Sequence, residues 1–306
     1  MRLVIALGGN ALLRRGEPMT AEVQRANVRM AAKSLAPVIL NHQVAITHGN
    51  GPQIGLLALQ QISKGSAVDL PLDILGAQTE GMIGYLIEQE LDNILPPAKC
   101  VVSLLTRVLV DQDDVAFNNP MKFVGPVYDS ETAEKIARQQ DWLFRPDGPH
   151  WRRVVSSPMP LEIREISVIS LLVEHDVTVI CAGGGGIPVI RCPDGNAIGV
   201  EAVIDKDLAS ALLARLINAD ALIMLTDVKA VEIDFGTPDA RPIRHATPAM
   251  LAEYSFLPGS MGPKVDAACS FVRETEKFAA IVSLNELSGI LNDAAGTRIA
   301  EPARSQ

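Results

Sequence analysis

Leu3-Val4-Ile5-Ala6-Leu7 runs into Gly8-Gly9-Asn10, and Val44-Ala45-Ile46-Thr47-His48 runs into Gly49-Asn50-Gly51. Further on, Val177-Thr178-Val179-Ile180-Cys181-Ala182 runs into Gly183-Gly184-Gly185-Gly186. A short apolar run closed by glycine reads as a buried strand whose tip lets something approach the backbone. One such cluster alone is more often a tight strand-to-helix turn. Three at equivalent positions predict bare N–H groups gathered at the carboxyl edge of one parallel sheet. Ligands bind at that edge, and clustered amides favour anions.

Helical patterns alternate with these strands. Thr20 caps a predicted helix whose apolar face is Val23, Ala26, Met30 and Leu35. Pro52 suits the first turn of the next helix. Further helices are expected near 78–92, 162–175, 207–218 and 263–275, with strands at 100–110, 220–226 and 279–283. The alternation predicts an α/β fold: a mostly parallel open sheet, flanked by helices on both faces, with right-handed crossovers. Between 111 and 160 the texture changes. Six prolines accompany glycines, charges, Trp142 and Trp151, which reads as an inserted lid subdomain rather than sheet. Met82, Met224 and Met250 read as core, and Glu80, Glu88 and Glu90 as a solvated helix face.

The 306 residues suggest about two lobes. A formal net charge of −9 argues against a nucleic-acid partner, which would call for a basic face. It also means that an anion site must concentrate positive potential locally. The four cysteines have no metal-ligand spacing and read as reduced thiols in a cytoplasmic protein. The first apolar stretch is too short, and too soon broken by glycine, for a signal peptide. No apolar run approaches the length of a membrane span.

Three lysines supply the positive charge. Lys206 stands in Val203-Ile204-Asp205-Lys206-Asp207 and Lys264 follows Gly262-Pro263, both where a helix begins; Lys122 closes Asn119-Pro120-Met121 in the lid. A lysine at a helix start opposes the macrodipole, and a bound anion would remove the conflict. Any one lysine is usually a solvated surface group, and Lys206 between two carboxylates could be a plain surface ion pair. His48, beside the second glycine tip, reads as a loop-fixing group rather than a proton carrier. Arg152 and Arg153 read as solvated lid residues.

ALGGNAL (6–12), HGNGPQ (48–53), AGGGGIPV (182–189), EAVIDKD (201–207) and GSMGPK (259–264) together resemble the carbamate kinases of the amino-acid kinase superfamily. NPMK (119–122) and WRRVVSSP (151–158) are similar to that family's inserted subdomain. The resemblance implies one amino-acid kinase-like domain over 1–306. Its substrate lobe would span about 1–165, including the lid at 111–160, and its nucleotide lobe about 166–306. It implies magnesium-dependent phosphoryl transfer between ATP and carbamate, giving carbamoyl phosphate and ADP, commonly run toward ATP in arginine and carbamoyl phosphate catabolism. A homodimer is implied as well.

Carried onto this chain, the resemblance has Gly8, Gly9, Asn10, Gly49, Asn50 and Gly51 hold carbamate and the moving phosphoryl group. Lys122 and Lys206 lie on its oxygens, Asp207 orients the lysines and Lys264 meets the nucleotide phosphates. Gly184, Thr226, Asp227, Val228 and Met261 border the nucleotide; no residue is assigned to a metal. Carbamate is already an anionic oxygen nucleophile, so the lack of a catalytic dyad is expected, and charge neutralisation carries the reaction. Phe123 stands where the family usually has proline, and Asn118 where it often has a charged residue. These lid departures motivate one alternative, a kinase for another small acid or phosphonate; a catalytically silent nucleotide-binding regulator is the other, and Lys122, Lys206, Asp207 and Lys264 speak against it.

Overall fold

The computed structural model describes residues 1–9, 12–13, 16–63, 70–256 and 261–302. In chain order it contains β1 (Arg2–Leu7), α1 (Ala21–Ile39), β2 (Gln43–His48), α2 (Gly51–Ser63), α3 (Leu72–Asp92), β3 (Val101–Ser103) and β4 (Arg107–Val110). The lid region supplies β5 (Lys122–Tyr128), α4 (Ser130–Gln140), β6 (Leu143–Asp147), β7 (His150–Val155) and β8 (Pro160–Ile163). Then come α5 (Ile166–Glu174), β9 (Thr178–Ile180), β10 (Ile187–Arg191), β11 (Ala197–Gly199), α6 (Lys206–Leu216) and β12 (Ala221–Thr226). The chain closes with β13 (Val231–Ile233), β14 (Arg241–Ile243), β15 (His245–Ala246), α7 (Pro248–Leu251), α8 (Met261–Thr275), β16 (Phe278–Ser283), α9 (Leu287–Leu291) and β17 (Thr297–Ile299).

The main sheet has the order β15-β17-β16-β12-β1-β2-β9-β3, and every pair from β16 to β3 is parallel. Strand alternation divides its side chains between two cores. Leu3, Ile5 and Leu7 of β1 face α1, α3 and α9, whereas Val4 and Ala6 face α5, α6 and α8. The expected three-layer α/β architecture follows from this double burial, which only near-continuous apolar strands can satisfy. β9 lies between β2 and β3, so the sheet interleaves the two halves of the chain.

Four expectations are corrected. The 111–160 insert does contain sheet: β5, β7 and β6 form an antiparallel ribbon with α4 beside it. Prolines inside β5 and β6, and charged residues along β6 and β7, hide their strand pattern. The 100–110 run is two strands, since Leu104 pairs with Ile180 of the main sheet while β4 joins the separate β11-β10-β4-β8 sheet. On α1 the buried face is Val28, Ala31, Ala32, Leu35 and Ile39, with Ala26 and Met30 exposed. Alanines permit close approach to α3, while Met30 lies outside that contact at the surface. On α3, Met82 is exposed while Glu80 and Glu90 are buried, Glu90 pairing with Arg29 at 2.9 Å.

The lid is docked rather than loose. Val124 and Val155 share a third apolar cluster with Ile54 and Ala58 of α2 and Leu72 and Leu75 of α3. Among the described residues no helix is long and apolar enough to cross a membrane.

Candidate active site

β1, β2 and β9 are neighbours, so the three glycine tips lie side by side at one sheet edge. A Cβ built on Gly49 would lie 3.6 Å from Gly9 N, which sets the first two tips in contact. A Cβ on Gly8 would come within 2.7 Å of the Leu225 carbonyl oxygen at the end of β12, so only glycine fits that approach. Asn10 lies outside the described residues. Asn50 is buried, donates from Nδ2 to Thr79 Oγ1 at 2.9 Å, and leads straight into α2.

The third tip behaves differently from the expected amide cradle. Gly183 N–H donates to Glu80 at 2.9 Å, and the Gly185 and Gly186 amides are bonded inside their own turn. Gly184, at φ +66°, lies buried against the Asn50 side chain, which a Cβ would meet at 2.1 Å. Gly184 therefore supports the β2 tip from behind. His48 is fully buried, with Nδ1 against the Gly49 carbonyl at 3.1 Å. Burial pulls its pKa down to about 4, and the Lys206 charge adds to the effect; the Gly49 hydrogen bond opposes it. The ring is neutral at pH 7 and fixes the loop.

α6 begins at Lys206 because Asp205 caps it, accepting from Asp207 N at 2.8 Å. The cap turns Lys206 inward, where Nζ donates to the Leu7 carbonyl at 3.0 Å, at the very end of β1. Ser210 Oγ, 2.6 Å from Thr47 Oγ1, ties the same helix to β2. Asp207 binds two lysines at once: Lys206 Nζ lies 3.0 Å from Oδ1 and Lys264 Nζ lies 2.8 Å from Oδ2. Lys206 is thus a buried group, not a surface ion pair. Its pKa is lowered to about 8, burial acting first and Lys264 adding to it against the pull of Asp207. Burial alone would raise the Asp207 carboxyl; the two ammonium groups outweigh it and hold it well below the usual carboxylate range.

Lys122, the first residue of lid strand β5, reaches across to Asp205 and forms an ion pair with its Oδ2. One carboxylate therefore caps α6 and holds the lid lysine. Arg152 and Arg153 are built into the lid instead of being solvated: Arg152 Nε donates to Gly125 O at 2.7 Å, and the Arg153 guanidinium stacks 3.5 Å over Trp142.

Thr226 ends β12 next to the Gly8 approach, Asp227 and Val228 follow it, and Met261 opens α8, three residues before Lys264. The structure gathers Gly8, Gly9, Gly49, Asn50 and Gly51 with Lys122, Lys206, Asp207 and Lys264 around one sheet edge. Sequence reading missed Asp205 as a two-armed partner, although a carboxylate just ahead of a helix is a capping signal. It also missed Glu80, whose burial depends on how α3 is turned.

The arrangement offers three ammonium groups, held by two carboxylates, and loop tips for an anion; among the described site residues no proton-transfer dyad is seen. The amino acid kinase family model matches residues 1–283. A carbamate kinase of Rhizobium meliloti is 55% identical over 98% of this chain and 93% of its own length. One from Haemophilus influenzae is 52% identical over 98% and 96%. Carbamate kinase from Giardia lamblia bound to AMP-PNP superposes with a TM-score of 0.88 at 40% identity, covering 98% of each chain. With near-complete coverage at this identity, the chain belongs to the amino acid kinase family, and within it to the carbamate kinases.

Proposed function

We propose that this chain transfers a phosphoryl group between ATP and carbamate, giving carbamoyl phosphate and ADP, and that it runs toward ATP in arginine and carbamoyl phosphate catabolism. The observation that carries this reading is the Lys206–Asp207–Lys264 triplet, anchored to the end of β1 through the Leu7 carbonyl. In the ATP-forming direction an ADP β-phosphate oxygen attacks the phosphorus. The bond to the carbamate oxygen breaks and the electron pair leaves with carbamate, so neither partner needs a general base. The loose transition state spreads charge over the equatorial oxygens, and positioned cations are what stabilise it. Lys122 and Lys206 meet those oxygens; Lys264 meets the nucleotide phosphates. Gly8, Gly9, Asn10, Gly49, Asn50 and Gly51 hold carbamate and the moving group, while Thr226, Asp227, Val228 and Met261 border the nucleoside.

Magnesium fits as an ion carried in on the nucleotide. No group of three or more His, Cys, Asp or Glu side chains among the described residues is gathered as a cage. Magnesium commonly rides on substrate phosphates with one or two carboxylates. When bound, the ion supplies charge neutralisation on the phosphates.

The split into lobes of about 1–165 and 166–306 is functional in this reading: β1 and β2 carry the acceptor side, β12 and α8 the nucleotide side. A homodimer is supported by α3, which exposes Ile74, Met82 and Tyr85 beside the sheet-edge strand β3. Four free cysteines suit a reducing, cytoplasmic setting. The decisive assay mixes ADP, magnesium and carbamoyl phosphate with folded protein and records ATP. Rapid ATP formation is expected; ATP at only the uncatalysed rate would reject the proposal.

A further inference from the structure

Glu80 is a buried carboxylate that the chemistry above does not use. It sits on α3 at 3% exposure, and its two oxygens serve two different loops. Oε1 accepts from Gly183 N at 2.9 Å and Oε2 from Thr106 N at 3.2 Å. Thr106 Oγ1 in turn accepts from Ala182 N at 2.9 Å, so the carboxylate and its neighbour together bind the turn that enters the third glycine tip. That tip has no room to move. A Cβ on Gly183 would strike the His48 ring at 2.3 Å and Glu80 Cγ at 3.0 Å, and Gly184 rests on Asn50. Asn50 is thus pinned between Gly184 on one side and Thr79 Oγ1, one residue before Glu80, on the other.

We infer that Glu80 is a positioning residue for phosphoryl transfer: by accepting the Gly183 and Thr106 amides it presses the third glycine tip against His48 and Asn50, and so fixes the β2 tip where the moving group is held. The inference rests on the phosphoryl-transfer reading of that tip. A small displacement of a group that orients substrate is costly even when the group lies outside the chemistry.

The arrangement calls for the ionised carboxylate, since a protonated oxygen would point a donor at an amide that can only donate. Burial pushes the Glu80 pKa up to about 8 against the lowering effect of the two amides, with a small further rise from Glu165. The groups that face it are neutral His48 of β2, the Cys181 thiol after β9, Tyr85 and Glu88 farther along α3, and Glu165, which is itself paired with Arg107 at 2.7 Å. None places a cation on it. A cavity of about 320 Å³, whose lining includes Glu80, His48, Tyr85, Glu88, Ser103 and Cys181, lies beside it. Turnover should therefore rise with pH through about 8 as Glu80 ionises.

The test compares wild type, Glu80→Gln and Glu80→Asp as full-length protein, measuring melting temperature, kcat and KM for ATP formation from about pH 6 to about pH 10. Glu80→Gln matches the volume but can accept from one amide only. It should lose about 10- to 100-fold in kcat with an unchanged KM for ADP, and its kcat profile should lose the rising limb. Glu80→Asp should keep the limb and recover part of the rate. A folded Glu80→Gln with wild-type kcat, or with a pH profile that superimposes on wild type, overturns the inference. Should that variant not fold, a wild-type kcat profile that is flat below about pH 8 overturns it equally. Wild type that forms no ATP at any pH would instead mark failure of the phosphoryl-transfer reading itself.

Discussion

Asp205 and Asp207 stand two residues apart and hold lysines in opposite ways. Asp207, with its side chain 8% exposed, binds Lys206 and Lys264, at 11% and 15%, inside the body of the fold. Asp205 spends one oxygen on capping α6 and the other on Lys122, which is 30% exposed and arrives from the lid. The first arrangement is preorganised charge in a low-dielectric setting, unable to relax without cost. The second is a contact that a substrate anion can replace, because Lys122 keeps access to water. In the proposed reaction Lys206 and Lys264 are therefore the fixed cations and Lys122 the exchangeable one.

The sharpest way to break this contrast is Asp207→Asn. Two ammonium groups would be left buried without their counter-ion, and removing one partner of a buried ion pair costs about 3–5 kcal/mol. Urea unfolding should show a loss of that order, and ATP formation should fall by at least ~10²-fold. Lys122→Ala is the complementary case. It should lower kcat by ~10²–10³-fold while changing unfolding free energy by less than about 1 kcal/mol, the range of a partly exposed pair. Equal stability losses in the two variants would erase the distinction.

A smaller and graded effect comes from pH. Lys206 must be protonated to act as a cation, and its pKa in the free protein is about 8. The kcat/KM for carbamoyl phosphate, which reports the free enzyme, should therefore fall as pH rises above about 8. Stability moves the other way. Between about 8 and the ordinary lysine value of 10.5 the unfolded chain keeps this proton and the folded chain does not, so this group alone makes stability rise with pH. Unfolding and steady-state measurements over that window should show opposed slopes; a kcat/KM that is level through it would remove Lys206 from the reaction.

Much of this was legible in the sequence where the signal is local. The strands β1, β2 and β9 declare themselves by apolar runs ending in glycine, and two lysines at helix starts declare an electrostatic conflict. What stayed hidden depends on distant partners. Lys122 and Asp205 are 83 residues apart, and nothing near either one points to the other. Glu80, Met82 and Glu90 share one helix, and only the orientation of α3 against the sheet decides that the two carboxylates go in and the methionine stays out. The four glycines at 183–186 read as a ligand loop in the sequence, but glycine permits both a close ligand and a close neighbour. Here the neighbours are His48, Asn50 and Ile204.

The central claim is that a buried ammonium group at the end of β1 stabilises the moving phosphoryl group. Lys206→Met tests it most directly: the substitution removes the charge but keeps an apolar chain of similar length, and Asp207 retains Lys264. The account predicts folded protein whose kcat for forming ATP from ADP and carbamoyl phosphate is lower by ~10²–10³-fold. Folded Lys206→Met turning over at the wild-type rate would contradict it.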